Sequence, residues 1–490
     1  MNKLFPTKLS VLLEGIAQVT PALECDITSI TLDSREAKSG TLFVALKGTQ
    51  QHGLNYAHDV AKQGASAIVW EQDGITESSE LNIPQFEITN LRDFLGEISN
   101  RFFGSVSESL NMIGITGTDG KTSVSHFIAQ AMNDSAVIGT LGIGSLDDLQ
   151  TATHTTPDVF SVHESLVALK AKNIKTVAME VSSHALDQAR VAGVAFDVAV
   201  LTNLSRDHLD YHKTLEAYAE AKEKLFDWAG LKAIVVNLDD KFGRKMALKS
   251  GGVIAYGVGQ LIDYPEGSLV AVNAKFTHKG ISADIHFAGK QAKLNASVLG
   301  RFNLSNLLAA LGAMLALGDS LESALARLNH VETVAGRMEK VANSDVLAVV
   351  DYAHTPNALE TVLKALREHT ENNLICVFGC GGDRDAGKRP MMAQIAEANA
   401  DVVIVTDDNP RTENPELIMK DIVAGFINPS AAVIEHDRAS AISKALTQAK
   451  LGDTVLIAGK GHEKVQILAT GSIPFSDREH ANKVLLELAA

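Results

Sequence analysis

The chain has 490 residues, too many for a single core, and length alone predicts three domains of about 150 residues each. Hydrophobic content of 46% and charged content of 21% are those of a globular protein, while a net charge of −15 argues against a nucleic-acid partner, which requires a basic surface. Three cysteines (Cys25, Cys376 and Cys380) are too few for a disulfide framework and fit a reducing cytoplasm, and no apolar run approaches the ~18 residues of a membrane span.

The N-terminal stretch "MNKLFPTKLSVLLEGIAQVT" is interrupted by Glu14 and is too short for a signal peptide. A Gly/Ser-rich passage, "FFGSVSESLNM" (102–112), predicts that a first domain ends near 95–105. A series of strands with polar or glycine-rich exits follows: "MIGITGTDGKT" (112–122), "KTVAMEVSSH" (175–184), "DVAVLTNLSRDH" (197–208) and "KAIVVNLDD" (232–240). The segment "NHVETVAGRMEK" (329–340) closes this series. A second series comprises "VLAVVDYAHTP" (346–356), "LICVFGCGGDRD" (374–385), "DVVIVTDDNPR" (401–411) and "TVLIAGKGHE" (454–463). Each run opens with four to six consecutive apolar residues, the pattern of a strand buried on both faces of a parallel sheet. Helices are expected between them, for example over 121–132, 160–172 and 390–399. The fold class is α/β with at least two doubly wound sheets, and in such sheets ligands bind beyond the carboxyl ends of the strands. The Gly, Asp, Glu, His, Asn and Arg residues of this chain cluster at those ends.

One exit stands out. "GITGTDGKT" (114–122) has Gly-Lys-Thr at the junction of a strand and a helix, but Ile115 stands where a common phosphate loop has its first glycine. Backbone N–H groups of such a turn, with the helix dipole behind them, favour phosphate. Lys121 can reach the terminal phosphates, and the Thr122 hydroxyl can ligate Mg²⁺. A glycine turn that merely joins strand to helix is the plainer alternative.

The loop resembles that of the Mur ligase family, which uses Gly-Thr-x-Gly-Lys-Ser/Thr without the early glycine. "MEVSSHALDQARV" (179–191), "TNLSRDHLDYH" (202–212), "EAYAEAKEKLF" (216–226), "NLDD" (237–240), "GRFNLSNLLAA" (300–310), "GRMEKV" (336–341) and "DYAHTP" (351–356) follow in the family's order. "ITLDSREAKSGTLFVALKG" (30–48) resembles the uridine-nucleotide domain of a member that extends a muramoyl dipeptide. The resemblance implies three domains: a smaller N-terminal α/β domain binding UDP-MurNAc over 1–98, a central P-loop ATPase-like parallel sheet over 99–332, and a C-terminal Rossmann-like amino-acid domain over 333–490. It implies a cytoplasmic, monomeric enzyme that makes a peptide bond at the expense of ATP. A substrate carboxylate takes the γ-phosphoryl group, and an amine then attacks the acyl phosphate. Two Mg²⁺ ions and a lysine would neutralise the phosphoryl oxygens.

By this resemblance Gly117, Thr118, Asp119, Gly120, Lys121, Thr122 and Ser123 hold ATP, with Asn303, Arg337, Asp351 and His354 also at the nucleotide. Asp119 stands where the family usually has Asn. Lys121, Glu180, His208 and Lys222 are the implied catalytic set. Thr122 and Glu180 would help hold the first metal, His208 and Lys222 the second, with Lys222 carbamylated so that its amine becomes an anionic ligand. From residue type alone Lys222 reads as a solvated helix lysine. His208 alone could be part of a helix start beside Asp207. Glu180 ends an apolar strand, where an unpaired carboxylate is costly, so a metal or partner is expected there. Asn303 alone could cap a helix, and Arg337 could be a plain salt-bridge residue.

Substrate contacts are implied in the same way. Leu32, Ser34, Thr49, Gln50 and Gln51 match the uridine side. Thr155, Thr156, Ser182, Gln188 and Arg190 match the muramoyl-dipeptide side, with His154 where Asn is expected. The "DNPR" of "DDNPRTENP" (407–415) resembles the signature of members that add meso-diaminopimelate. That amino acid differs from lysine by a carboxylate at its far end, and a guanidinium fork binds a carboxylate in two places. Arg411 offers such a fork and Arg384 a second. Asp408, Asn409 and Pro410 complete the motif, and Gly459 and Glu463 in "GKGHE" match positions that hold the far amino group. An Asx-Pro turn is the plainer reading of Asp-Asn-Pro. The expected substrates are ATP, UDP-MurNAc-L-Ala-D-Glu and meso-diaminopimelate, with neither nucleic acid nor membrane as partner. A lysine-adding relative, a P-loop kinase or switch, and a non-enzymatic nucleotide scaffold are the alternatives.

Overall fold

The computed structural model describes residues 6–48, 51–72, 81–248, 252–341 and 346–489. By its contacts the chain divides into two compact units, residues 1–255 with 312–318, and residues 256–311 with 319–490.

The first unit contains two parallel sheets. The smaller has β1 (Ser29–Thr31), β2 (Thr41–Ala45), β3 (Ala67–Trp70) and β4 (Gln85–Glu87) side by side in chain order. Strand β2 explains why the sequence is continuously apolar there. Leu42 and Val44 enter one core and Phe43 and Ala45 another, so both faces are covered. Helix α1 (Leu91–Phe103) packs on the first of these cores through Leu91, Leu95 and Ile98 and ends at Gly104 in a left-handed conformation.

The larger sheet is built on β5 (Asn111–Thr116), β6 (Ser135–Gly139), β7 (Gly142–Gly144), β8 (Thr176–Glu180), β9 (Val198–Leu201) and β10 (Ala233–Asn237), in the order β10-β9-β5-β8-β6-β7. All pairs are parallel except the β6–β7 hairpin. Chain order breaks on either side of β5, whose neighbours are β8 and β9. That is a switch point, where an open α/β sheet leaves a crevice for a ligand. Helix α2 (Lys121–Ala131) follows β5. Helix α3 (Val159–Ala171) is capped by Asp158, whose carboxylate accepts from the N–H groups of Phe160 and Ser161. The chain passes between units within β11 (Val253–Val258).

In the second unit an antiparallel meander, β12 (Leu269–Thr277), β13 (Gly280–Phe287) and β14 (Lys290–Ala296), precedes helix α4 (Arg301–Ala316), whose residues from Gly312 on belong to the first unit. The remaining sheet contains β15 (Glu339–Lys340), β16 (Leu347–Asp351), β17 (Leu374–Phe378), β18 (Val402–Val405), β19 (Val433–Ile434) and β20 (Thr454–Ala458), in the order β15-β16-β20-β17-β18-β19. Its pairs are parallel apart from β15–β16. Alternation again sends Cys376 and Phe378 to one core and Ile375 and Val377 to the other. Truncating a side chain as enclosed as Phe378 to alanine removes about 3–5 kcal/mol of stability.

All eight strands expected from the two series are present, each as a parallel strand, and the helices expected at 121–132, 160–172 and 390–399 are observed as Lys121–Ala131, Val159–Ala171 and Lys388–Asn399. The fold is the α/β class that the sequence implies.

Candidate active site

In the first unit the chemistry gathers around the carboxyl ends of β5, β8 and β9. The loop Gly117–Gly120 leaves β5, and α2 begins at Lys121. The Lys121 amine folds back on the loop, donating to the carbonyl oxygens of Gly117 (2.8 Å) and Thr118 (2.9 Å). Asn203 and Thr202, just beyond β9, brace the loop. Asn203 Oδ1 accepts from the Asp119 N–H (3.0 Å), and the Thr202 hydroxyl donates to the Asp119 carbonyl (2.6 Å). Thr122 and Ser123 lie in the first turn of α2, where N–H groups have no helical acceptor.

Glu180, the last residue of β8, is 1% exposed. Its Oε2 accepts from the hydroxyls of Thr122 and Thr140, both at 3.1 Å, and its Oε1 accepts from the Thr140 N–H at 3.1 Å. Burial pushes this carboxyl up from its ordinary range, opposed by the nearby Lys121 charge. Among the described residues no cationic side chain forms an ion pair with it. A buried carboxylate and a hydroxyl from the phosphate loop form a hard oxygen donor set. Together with phosphate oxygens this suits Mg²⁺, which takes one or two carboxylates and keeps other positions for substrate and water. Among the described residues no group of three or more His, Cys, Asp or Glu side chains could hold an ion alone.

Lys222 stands in helix α5 (Leu215–Glu223) and is 1% exposed. Its amine donates to the Gly117 carbonyl (2.8 Å) and lies 4.5 Å from the centre of the Tyr218 ring. Burial first, and the charge of Lys121 second, lower its pKa well below the ordinary lysine value. The Tyr218 hydroxyl is 3.2 Å from that of Thr118, and burial pushes its pKa up to about 12, so it remains protonated. His208 is half-exposed, caps the turn Leu209–His212 in a left-handed conformation (φ 53°), and sits 6.0 Å ring to ring from Tyr218. Its N–H donates to Asp207 Oδ1 (2.8 Å). Lys121, Glu180, His208 and Lys222 are thus drawn to one end of the sheet.

The expected dipeptide contacts adjoin Glu180. Thr156 is buried, donates to the Glu180 carbonyl (2.8 Å) and accepts from the Ser182 N–H (3.1 Å). Arg190 donates to the Thr156 carbonyl (3.0 Å) and, through Nε and Nη2, to Gln188 Oε1, while Gln188 Nε2 donates to the Tyr211 hydroxyl (3.1 Å). The Thr155 hydroxyl is 3.0 Å from that of Thr140. On the uridine side, Leu32 and Ser34 follow β1, and the Gln51 amide donates to the Tyr56 hydroxyl. Thr49 and Gln50 lie outside the described residues.

The second unit holds two further groups. Asp351, at the end of β16, is buried, and its carboxylate accepts from the N–H groups of Met338 and Ala353, both at 2.7 Å. Burial raises its pKa against those hydrogen bonds. The Arg337 guanidinium lies over the Tyr352 ring (5.4 Å) and the His354 ring meets it edge-on (4.7 Å), so two of the expected nucleotide residues flank one ring. Asn303, near the start of α4, is buried and committed to the Leu299 carbonyl and to Asn306.

The other group lies beyond β17, β18 and β20. Arg411, in a left-handed conformation (φ 56°), donates through Nη1 to the carbonyls of Gly382 (3.0 Å) and Asn409 (3.3 Å). The loop carrying Arg384 is fastened to the loop carrying Arg411. Asp383 accepts from the Thr412 N–H (3.0 Å) and hydroxyl (2.8 Å), and Glu413 accepts from the Asp383 N–H (2.9 Å). The buried Arg389 holds Glu413 in a two-pronged pair at 2.7 Å for each prong, with the carboxyl lowered to about 2 by that contact. Arg384 is exposed, with one bond to the Asp383 carbonyl, and Pro410 joins the two anchored residues. Asn409 donates to Glu463 (2.8 Å), and the fully buried Lys460 donates to Asn409 Oδ1, Glu463 Oε2 and the Val465 carbonyl. Burial raises the pKa of Asp408. Gly459 (φ 119°) is required here, because a Cβ would stand 2.5 Å from Asp408 Oδ2.

Three residues at these sites escaped the sequence reading. Tyr218 precedes Lys222 by one helical turn, a spacing that puts both on one face. Thr140 follows the carboxyl end of β6, the position at which the sheet rule looks for ligand contacts. Lys460 lies inside the quoted "GKGHE" but reads as a surface lysine by type.

The Mur ligase family catalytic domain profile matches residues 26–103, the Mur ligase middle domain 115–314, and the Mur ligase glutamate ligase domain 336–461. A protein of Ectopseudomonas mendocina (strain ymp), named UDP-N-acetylmuramoyl-L-alanyl-D-glutamate–2,6-diaminopimelate ligase, is 46% identical over 477 residues, covering 96% of this chain and 97% of its own. A protein of Pseudomonas aeruginosa PAO1 with the same name is 46% identical over 480 residues, covering 96% and 98%. A solved structure described by that name superposes with a TM-score of 0.79 at 34% identity, covering 99% of this chain and all of the other. Profiles and relatives together span both units, and the chain belongs to the Mur ligase family.

Proposed function

We propose that the chain is an ATP-dependent ligase of peptidoglycan synthesis. It joins meso-diaminopimelate to the D-Glu side-chain carboxylate of UDP-MurNAc-L-Ala-D-Glu, with release of ADP and phosphate. The observation that carries the chemistry is the buried Lys222 amine on the carbonyl of Gly117, in the phosphate loop. The relatives' names favour diaminopimelate over the lysine alternative.

In the first step the loop Gly117–Ser123 and the Lys121 amine cradle the phosphates of ATP, and the D-Glu carboxylate attacks the γ-phosphorus, displacing ADP. Lys121 exchanges its two loop carbonyls for phosphoryl oxygens, so positive charge faces the transferring group. Mg²⁺ held by Thr122 and Glu180, and a second ion at His208 and a carbamylated Lys222, would supply further neutralisation of the phosphoryl oxygens. A depressed pKa supplies the neutral amine that carbamylation requires. In the second step the amine of diaminopimelate attacks the acyl carbon, and phosphate leaves.

Thr155, Thr156, Ser182, Gln188 and Arg190 orient the dipeptide, and Leu32, Ser34, Thr49, Gln50 and Gln51 the uridine portion. Asn303, Arg337, Asp351 and His354 complete the nucleotide site. Arg384 and Arg411 pair the far carboxylate of diaminopimelate, while Asp408, Asn409, Pro410, Gly459 and Glu463 line its amino end. Residues 1–98, 99–332 and 333–490 are the uridine, ATP and amino-acid domains of a cytoplasmic monomer. Among the described residues no helix is long and apolar enough to cross a membrane.

The test is product formation. Purified chain with ATP, Mg²⁺, UDP-MurNAc-L-Ala-D-Glu and meso-diaminopimelate should yield the UDP-MurNAc tripeptide and one phosphate per product. ATP turnover that ignores the dipeptide substrate would refute the reading.

A further inference from the structure

Thr140 follows the last residue of β6, and no role assigned above uses its hydroxyl. Its N–H and its hydroxyl donate to different oxygens of Glu180, at 3.1 Å each. The approach depends on Gly139, where a Cβ would stand 2.2 Å from Glu180 Oε1. The same hydroxyl lies 3.0 Å from the hydroxyl of Thr155.

The direction of these bonds follows from a proton count. A carboxylate only accepts, and a hydroxyl carries one proton, so the proton of Thr140 is committed to Glu180. Thr155 must therefore donate to Thr140. That leaves the Thr155 oxygen free to accept from a donor on a bound substrate. On the other side, Glu180 Oε2 receives the hydroxyl of Thr122, at the start of the helix behind the phosphate loop. Thr155, Thr140, Glu180 and Thr122 form one continuous chain of bonds with a single polarity on the substrate side. Thr140 is exposed and fills no core, so its value lies in these bonds.

We infer that Thr140 is a positioning residue that couples the muramoyl-dipeptide subsite to the nucleotide subsite. This rests on the proposed function, which gives Thr155 to the dipeptide substrate. A substrate donor that fixes Thr155 also fixes the Thr140 rotamer, and with it the Glu180 carboxylate beside Thr122. By linkage the effect is reciprocal, so nucleotide in its subsite tightens the dipeptide substrate by the same factor.

Calorimetric titration of the full chain with a non-hydrolysable ATP analogue and Mg²⁺ tests this, in the presence and absence of saturating UDP-MurNAc-L-Ala-D-Glu and without diaminopimelate. The wild type should bind the analogue roughly 5- to 150-fold more tightly when the dipeptide substrate is present, the usual span of coupling between sites. Thr140→Ser keeps the hydroxyl and should keep that factor. Thr140→Val keeps the shape and should bring it to about one, with each ligand alone still bound and the thermal midpoint unchanged. An undiminished factor in Thr140→Val overturns the inference, as does a wild-type factor of one. So does loss of binding of either ligand alone in Thr140→Val, because the role would then be structural. A wild type that ignores the UDP-MurNAc dipeptide altogether overturns the functional reading instead.

Discussion

The amine of Lys222 donates a 2.8 Å hydrogen bond to the carbonyl oxygen of Gly117, so a fully buried lysine from α5 rests on the phosphate loop that leaves β5. Desolvation makes an ammonium expensive at this place, and the neighbouring Lys121 charge adds to the cost. A neutral amine is the form that combines with carbon dioxide. Under the proposed function this amine takes up carbon dioxide and becomes an anionic carbamate, where an ordinary lysine would remain a cation.

Lys222→Arg separates charge from chemistry, because a guanidinium stays protonated and cannot form a carbamate. Turnover should fall by about 10²–10³, the loss typical of removing one preorganised stabilising group, with nucleotide binding retained. Steady-state kinetics paired with a nucleotide titration measure both. An arginine variant with near wild-type turnover would remove the carbamate from the account.

Arg411→Lys tests recognition of the far carboxylate. The lysine keeps a positive charge but loses the fork and the bonds from Nη1 to Gly382 and Asn409. A hydrogen bond to a charged group contributes about 1.5–3 kcal/mol, so kcat/KM for diaminopimelate should drop roughly 10- to 100-fold. The KM values for ATP and the UDP-MurNAc dipeptide should not move. Equal losses for all three substrates would mean a misfolded domain.

Asp383→Ala unfastens the loop of Arg384 from the loop of Arg411 by deleting the acceptor for the Thr412 N–H and hydroxyl. The expected result is a severalfold rise in KM for diaminopimelate at nearly constant kcat. Unchanged KM in initial-rate assays would show that the two arginines keep their places without the clamp.

His126 lies in α2, is 8% exposed, and burial lowers its pKa from 6.5 to about 4. The unfolded chain then binds a proton that the folded chain resists, so stability present above pH 6.5 is lost progressively as pH falls toward about 4. At about 1.4 kcal/mol for each pH unit between those two values, the effect amounts to about 3 kcal/mol. His126→Gln should flatten the fall in unfolding free energy over that window by an amount of this order. Denaturant curves for both proteins at pH 7 and pH 4.5 measure it, and parallel losses in the two would exclude His126 as the source.

The strands and the phosphate loop were legible because burial on both faces leaves an unbroken apolar run, as in "VLAVVD" and "LICVF", and because Gly-Lys-Thr must sit where a strand meets a helix. The small hairpin β6–β7 and the meander β12–β14 were not singled out. They are short or half-exposed, and their alternation is interrupted by residues such as Asn273, at positive φ in an irregular stretch of β12. Glu180 was legible as a buried carboxylate needing a partner. Thr140 was not, since a threonine after a strand says nothing of the carboxylate that another strand brings beside it. Lys222 and Lys460 are the clearest cases. By residue type both belong on the surface, and only tertiary packing makes them the buried centres of their groups.

The most direct test of the central claim is phosphate release from ATP with Mg²⁺ and UDP-MurNAc-L-Ala-D-Glu, with meso-diaminopimelate or L-lysine added in parallel. The account predicts release and tripeptide formation that depend on diaminopimelate, with lysine a poor substitute because Arg411 would be left without its carboxylate. Equal or better use of lysine would contradict it.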